Sequence, residues 1–302
     1  MPHSESILSA QKARFKKVVV FGVGLIGGSF ALALKQGGGA EEIVGFGRGR
    51  EGILEALRLG VIDRAGEDFA EELADADLAL LATPVGQMPE LFARIAPFLG
   101  ERTVLTDGGS TKGDVVLAAR RALGEKIVRF IPAHPLAGAE NSGVAAARAD
   151  LFFGKKVVIT ALPENDRAAV ERVREAWRLT GAALWDLPPE KHDRVFAAVS
   201  HLPHFLAFTL VLDLAERQDS ALFFEFAASG FRDFTRIAAS HPEMWRDICL
   251  ANREALLAEL GAYQGQLEKL RAALEKNDGA SLERCFSVAR AARRKWQETR
   301  GI

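Results

Sequence analysis

The 302-residue chain has few cysteines: only Cys249 and Cys285, far apart. Two distant thiols make neither a disulfide framework nor a C-x-x-C metal site, so a reducing, cytoplasmic setting is expected. Neither sign of charge dominates. Thirty-nine Lys and Arg against 40 Asp and Glu give a net charge of −1, which argues against a nucleic-acid binder. No apolar run is read as long enough to cross a bilayer, and no membrane partner is expected. Residues 1–16 are polar, lack the apolar core of a signal peptide, and are expected to form a flexible tail. Hydrophobic content of 48% is ordinary for a globular protein, and the length allows one large domain or two medium ones.

The glycines are placed with purpose. Lys17-Val18-Val19-Val20-Phe21 leads into Gly22-Val23-Gly24-Leu25-Ile26-Gly27, and a helical pattern follows. Strand, G-x-G-x-x-G turn and helix start form the context in which a helix N-terminus receives a diphosphate. Gly22 permits the turn, Gly24 lets a pyrophosphate approach the backbone, and Gly27 lets helix and strand pack closely. Gly22, Gly24, Leu25, Ile26 and Gly27 are therefore expected to hold a dinucleotide.

Strand patterns recur at 42–46, 78–82, 102–107, 128–132, 156–160 and 183–187, with helical patterns between most of them. This alternation predicts an α/β, Rossmann-type, doubly wound parallel sheet, with the last two strands extending it. After Pro188-Pro189 only helical patterns follow. Residues 17–188 are expected to bind the dinucleotide and 189–302 to form an all-α substrate and dimerisation domain. Leu256, Leu260, Leu267, Leu270 and Leu274 make an apolar stripe, read first as core and alternatively as a dimer interface.

The second strand ends Phe46-Gly47-Arg48-Gly49-Arg50, with no acidic residue to accept from a ribose 2′-hydroxyl. Arg48 suits a 2′-phosphate, which favours NADP, with NAD as the alternative. Thr83 and Pro84 end the next long strand and are expected to line the cofactor cleft. Ser110 and His134 end the two strands after it, on the same rim. A histidine between Pro132 and Pro135 is expected outside helix and sheet, rigidly held as a general base. Ser110 could bond the reacting hydroxyl or cap the helix that follows. His201-x-x-His204 could hold a metal, but no third ligand stands at convincing spacing, so none is expected. Arg236, among apolar neighbours, reads as an anion anchor or a structural ion pair.

Six segments in order carry a resemblance: G-V-G-L-I-G-G-S at 22–29, D-G-G-S-T-K-G at 107–113, H-P-L-A-G-A-E-N-S-G at 134–143, H-D-x-x-F at 192–196, S-H-L-P-H at 200–204 and G-F-R-D-F-T-R-I-A at 230–238. Together they resemble the prephenate/arogenate dehydrogenases of tyrosine biosynthesis. The resemblance implies oxidative decarboxylation of prephenate to 4-hydroxyphenylpyruvate, or of arogenate to tyrosine, with hydride passing to NAD(P)+. It implies that His134 takes the hydroxyl proton and that Ser110 positions that hydroxyl and the nicotinamide. Arg236 and His204 would anchor the substrate, Glu140 would control access at the cleft mouth, and His201 would support helix packing. A homodimer through the helical domain is implied as well. The missing acidic residue after the second strand is a departure, so NAD preference does not carry over. No ACT-type domain follows Arg300 and no chorismate mutase segment precedes Lys16, so any tyrosine feedback is expected at the active site. Two other readings compete. A β-hydroxyacid dehydrogenase would need a catalytic lysine in the helical domain, where Lys191 is the sole lysine between Lys156 and Lys269. A non-catalytic dinucleotide sensor would need the glycine loop but not Ser110, His134 and Arg236 together.

Overall fold

The computed structural model describes residues 14–138 and 141–299. Two compact units are present, one running to Arg253 and the other from Glu254. In the first, six parallel strands lie in the order β3-β2-β1-β4-β5-β6: β1 Phe15–Phe21, β2 Ala40–Phe46, β3 Arg64–Ala65, β4 Leu78–Leu81, β5 Val104–Asp107 and β6 Phe130–Ile131. The order doubles back at β1/β4, the topological switch point where such sheets bind ligands. β1 is apolar throughout because both its faces are covered. Val18 and Val20 face one core with Phe30, Leu34 and Trp177, while Val19 and Phe21 face a second with Met88, Phe92 and Phe130.

Several sequence expectations are corrected here. β1 begins at Phe15, which is 1% exposed, so the polar tail is shorter than expected; residues 1–13 lie outside the described residues. The strands near the end of the domain do not extend the parallel sheet. β7 (Ala133–Pro135), β8 (Lys156–Ile159) and β9 (Ala183–Asp186) form a second sheet, with β7 antiparallel to β8 and β8 parallel to β9. His134 therefore sits in a strand, opposite Val158. Flanking prolines do not prevent this, because β7 is an edge strand and Pro135 can occupy a position that donates nothing to the ladder.

Pro189 begins a helix, since proline is well suited to the first helical position. That helix runs Pro189–Ala215 with a π-turn at Ala197–His201. Pro203 lacks an N–H and crowds the turn before it, which accounts for the local widening. By length and mean hydropathy this helix is long and apolar enough to cross a membrane, contrary to the expectation that no segment would be. Its apolarity has a local meaning: Val195, Val199, Phe205 and Leu212 are exposed, while His192, Asp193 and His201 are buried and hydrogen-bonded into the fold. Helices Ser220–Glu225, Ser229–Thr235 and Pro242–Ala251 complete this unit, and Trp245 and Ile248 of the last join the second core.

The second unit consists of helices Arg253–Glu275 and Gly279–Glu298. Asn252 ends the preceding helix Pro242–Ala251, so the long helical pattern there is broken into two helices. The leucine stripe is not core: Leu267 is 48% and Leu274 66% exposed, although Leu256 is buried.

Candidate active site

The glycine loop has the geometry that a dinucleotide requires. Gly22 has φ +93°, and a Cβ there would lie 2.7 Å from the Ala82 carbonyl oxygen. A Cβ on Gly27 would lie 2.2 Å from the Gly22 oxygen, so only glycine permits this packing. Gly24 is different, for among the described residues a Cβ there would meet nothing within 4 Å. It caps the helix Leu25–Gln36 with no side-chain hydrogen bond, leaving bare N–H groups over open space. A groove of about 1230 Å³ runs past it. Gly22, Gly24, Phe46, Arg48, Thr83 and Pro84 are among its lining residues. Phe46 and Phe69, edge to face at 4.9 Å, form an apolar shelf at the β2 end. The groove thus fits a nicotinamide dinucleotide. Arg48 is exposed there and comes within 3.9 Å of Glu243, which also lines the groove. Leu25 and Ile26 lie in the first helical turn, half-buried.

Gly108 links this loop to the rim beyond β5: a Cβ on it would be 3.1 Å from Ile26 and 3.8 Å from Pro135. Ser110 therefore lies on a loop threaded between the glycine turn and β7. Its expected alternative role as helix cap is not observed. Lys112 occupies the N-cap position of helix Gly113–Leu123, and Asp193 accepts from the backbone N–H groups of Lys112 (2.9 Å) and Gly113 (2.7 Å). The loop is held instead by Asp107. Its fully buried carboxylate pairs with the buried ammonium of Lys112 and accepts from the N–H groups of Gly109 (2.8 Å) and Ala133 (3.0 Å). One carboxylate so ties the Ser110 loop to the strand of His134.

His134 belongs to a cluster that the sequence did not announce. Its Nδ1 lies 2.8 Å from Nε2 of His192, whose Nδ1 lies 2.8 Å from Oδ1 of Asp193. Phe196 packs on both rings, at centroid distances of 4.8 and 4.4 Å. Burial pushes His134 well below the ordinary imidazole value, and His192, Lys112 and His201 push the same way, so it stands neutral. His201, 1% exposed, meets the Asn252 amide at 3.1 Å, and Asn252 also donates to the Asp193 carbonyl. Burial lowers His201 to about 4. Among the described residues its buried Nε2 has no partner.

His204 stacks on Trp245 at 3.6 Å and 19°, and its Nδ1 donates to the Ser200 carbonyl. Burial lowers its pKa, and the nearby charge of Arg236 lowers it further. The neutral ring therefore presents Nε2 as an acceptor. Arg236 is exposed at the end of the helix Ser229–Thr235, rather than enclosed among apolar side chains. Glu140 lies outside the described residues. Among the described residues no His, Cys, Asp and Glu cluster could hold a metal ion, and the His201–His204 pair is engaged as above. Sequence reasoning passed over Asp107, Lys112, Asp193 and Asn252. The signal available for the first three was their place in D-G-G-S-T-K-G and H-D-x-x-F; Asn252 offered none.

Two family models cover the chain in order: "prephenate dehydrogenase, nucleotide-binding domain" over residues 30–185 and "prephenate dehydrogenase, dimerization domain" over 188–288. The chain belongs to the prephenate dehydrogenase family. It is a dehydrogenase of the prephenate/arogenate type. A prephenate dehydrogenase of Bacillus subtilis is 37% identical over 275 residues, covering 90% of this chain and 74% of that protein. A cyclohexadienyl dehydrogenase of Zymomonas mobilis is 34% identical, covering 92% and 95%. Among solved structures, prephenate dehydrogenase from Aquifex aeolicus in complex with hydroxyphenyl propionate and NAD+ matches with a TM-score of 0.87 at 34% identity, covering 93% of this chain and 98% of that one.

Proposed function

We propose that this chain oxidises prephenate to 4-hydroxyphenylpyruvate, with arogenate as the alternative substrate, and that His134 is the base. The observation that carries this is the His134 imidazole, engaged at Nδ1 and tied through Asp107 to the Ser110 loop beside the dinucleotide groove, with burial holding its pKa down. A bound nicotinamide dinucleotide would accept the hydride. Gly22, Gly24, Leu25, Ile26, Gly27, Thr83 and Pro84 would hold it. His134 takes the proton from the ring hydroxyl, and Ser110 hydrogen-bonds that hydroxyl. Loss of the ring carboxylate as CO₂ then aromatises the ring and makes the step irreversible. Arg236 meets a substrate carboxylate. His204 beside it binds the same dianion, whose charge favours the protonated ring that donates through Nε2. Glu140 guards the mouth. The similarity to the Bacillus and Zymomonas dehydrogenases, and to the Aquifex enzyme in complex with hydroxyphenyl propionate and NAD+, supports this assignment.

NADP is favoured over NAD. No carboxylate follows β2, and Arg48 lines the groove where a 2′-phosphate would lie. Residues 17–188 serve the cofactor and 189–302 serve substrate and dimerisation, in keeping with the two family models. The exposed Leu267, Leu274, Phe286 and Val288 suit burial in a homodimer, and no nucleic acid or membrane is required. The setting is the cytoplasm.

The deciding experiment measures initial rates with prephenate and with arogenate, each with NADP and with NAD. Turnover of prephenate, fastest with NADP, is expected, and His134→Asn should lower kcat by about 10²–10⁴ with dinucleotide affinity unchanged. Absence of turnover in all four combinations by a folded, dinucleotide-binding protein would overturn the assignment. A higher kcat/KM for arogenate would move the substrate to the alternative. Arg48→Ala should weaken NADP more than NAD, and equal weakening would remove the 2′-phosphate contact.

A further inference from the structure

The segment His192-Asp193-x-x-Phe196 is given no catalytic role of its own in the proposed function, yet all three of its named side chains meet at His134 or its support. We propose that Asp193 and His192 are positioning residues that fix the tautomer of His134, leaving its Nε2 as the proton acceptor. The inference rests on His134 as the base. A carboxylate only accepts, so at 2.8 Å from Asp193 the His192 Nδ1 must carry the hydrogen. His192 is fully buried and burial keeps it neutral, so its Nε2 holds a lone pair. The 2.8 Å contact to His134 then requires Nδ1–H on His134 as donor, and the lone pair of that ring falls on Nε2.

Asp193 is a strong end point for this chain. Burial opposes its charge, but hydrogen bonds from His192 and from the Gly113 and Lys112 amides outweigh it and hold the carboxyl below its ordinary value. Those amides form the N-terminus of a helix, where negative charge is favoured. Phe196 packs against both imidazoles and restrains their rotation. Among the described residues, Lys112, Asp107, Asp193 and His201 are the charged or titratable groups acting on the His134–His192 pair. When the substrate O–H bond breaks, the new N–H bond forms at Nε2. The imidazolium so formed keeps its Nδ1–H on His192, which in turn leans on the carboxylate.

The first test is direct. Long-range ¹H–¹⁵N spectra of the histidine-labelled full chain should show both His134 and His192 as Nδ1–H tautomers at neutral pH. Nε2–H on His134 would overturn the proposal whatever the activity. Asp193→Asn presents an amide donor to His192 and should reverse both tautomers. We expect kcat to fall about 10²-fold or more, as when the carboxylate behind a catalytic histidine is made an amide. KM for substrate and dinucleotide should stay within about threefold, and the acid limb of kcat/KM should move to lower pH, because a negative charge has been removed. His192→Gln keeps a donor for Asp193 and an acceptor for His134, so its kcat should exceed that of His192→Leu by about tenfold or more. Equal losses in the two variants, or an Asp193→Asn enzyme within threefold of the parent, would overturn the inference. Failure of the parent to turn over any cyclohexadienyl substrate would instead sink the assignment of function, and the tautomer spectra would still decide the relay.

Discussion

Lowering the pH should unfold this protein through its buried histidines, and His201 allows the effect to be sized. Its pKa is about 4 in the folded chain against an ordinary 6.5, because burial disfavours the cation. Above pH 6.5 neither folded nor unfolded His201 is protonated, so it contributes no slope. Between 6.5 and about 4 the unfolded chain binds the proton and the folded chain does not. Stability then falls as pH falls, at about 1.4 kcal/mol per unit. At pH 4.5 the cost from His201 alone is about 2–3 kcal/mol, a large share of a typical stability of about 5–15 kcal/mol. His134, His192 and His204 are lowered in the same direction and steepen the slope. His201→Asn isolates one contribution, since its amide oxygen still accepts from Asn252 but does not titrate. Urea unfolding of both proteins at pH 7 and pH 4.5 gives four free energies. The variant should be less stable at pH 7 for lost packing, yet should lose about 2–3 kcal/mol less than the parent on acidification. Parallel losses within about 0.5 kcal/mol would show that His201 is not held neutral by burial.

Four further outcomes follow from the geometry. Gly24→Val should raise the dinucleotide Kd by tenfold or more with little change in urea midpoint, since its side chain enters open space over the helix N-terminus; Gly27→Ala should instead lower the midpoint, since its Cβ meets a backbone oxygen at 2.2 Å. Lys112→Met strands the fully buried Asp107 carboxylate and should cost about 3–5 kcal/mol by chemical denaturation, with a cost under about 1 kcal/mol counting against the pair as a support. Arg236→Gln should raise KM for the dianionic substrate severalfold with kcat and melting temperature nearly unchanged; a fall in melting temperature alone would make Arg236 structural.

Much of this protein follows from local sequence rules. The valine run before Gly22 had to be a doubly covered strand, and G-x-G-x-x-G had to open a helix, because both depend on residues within a few positions of one another. Bare N–H groups and a cleft over β1 and β4 then follow from backbone geometry alone. Most strand positions were likewise legible from apolar runs bounded by glycine and proline, but the two-residue β3 and the short edge strand β7 were not, having no apolar run of their own. Strand partners were not legible: β8 and β9 have the same local pattern whether they extend the parallel sheet or pair with β7, and long-range packing chose the latter. The proline-flanked His134 looked like a loop residue because proline cannot donate, but an edge strand tolerates that. The Leu256–Leu274 stripe has a helical period, which marks a face without saying what covers it. Least visible were the carboxylates. Asp107 organises Ser110 and His134 across 26 positions, and Asp193 reaches the Lys112 amide across 81. A hydrogen bond carries no periodicity in sequence, so the chemistry-bearing residue types were readable from the chain, while their ionisation and mutual orientation were decided only when the tertiary fold buried them together.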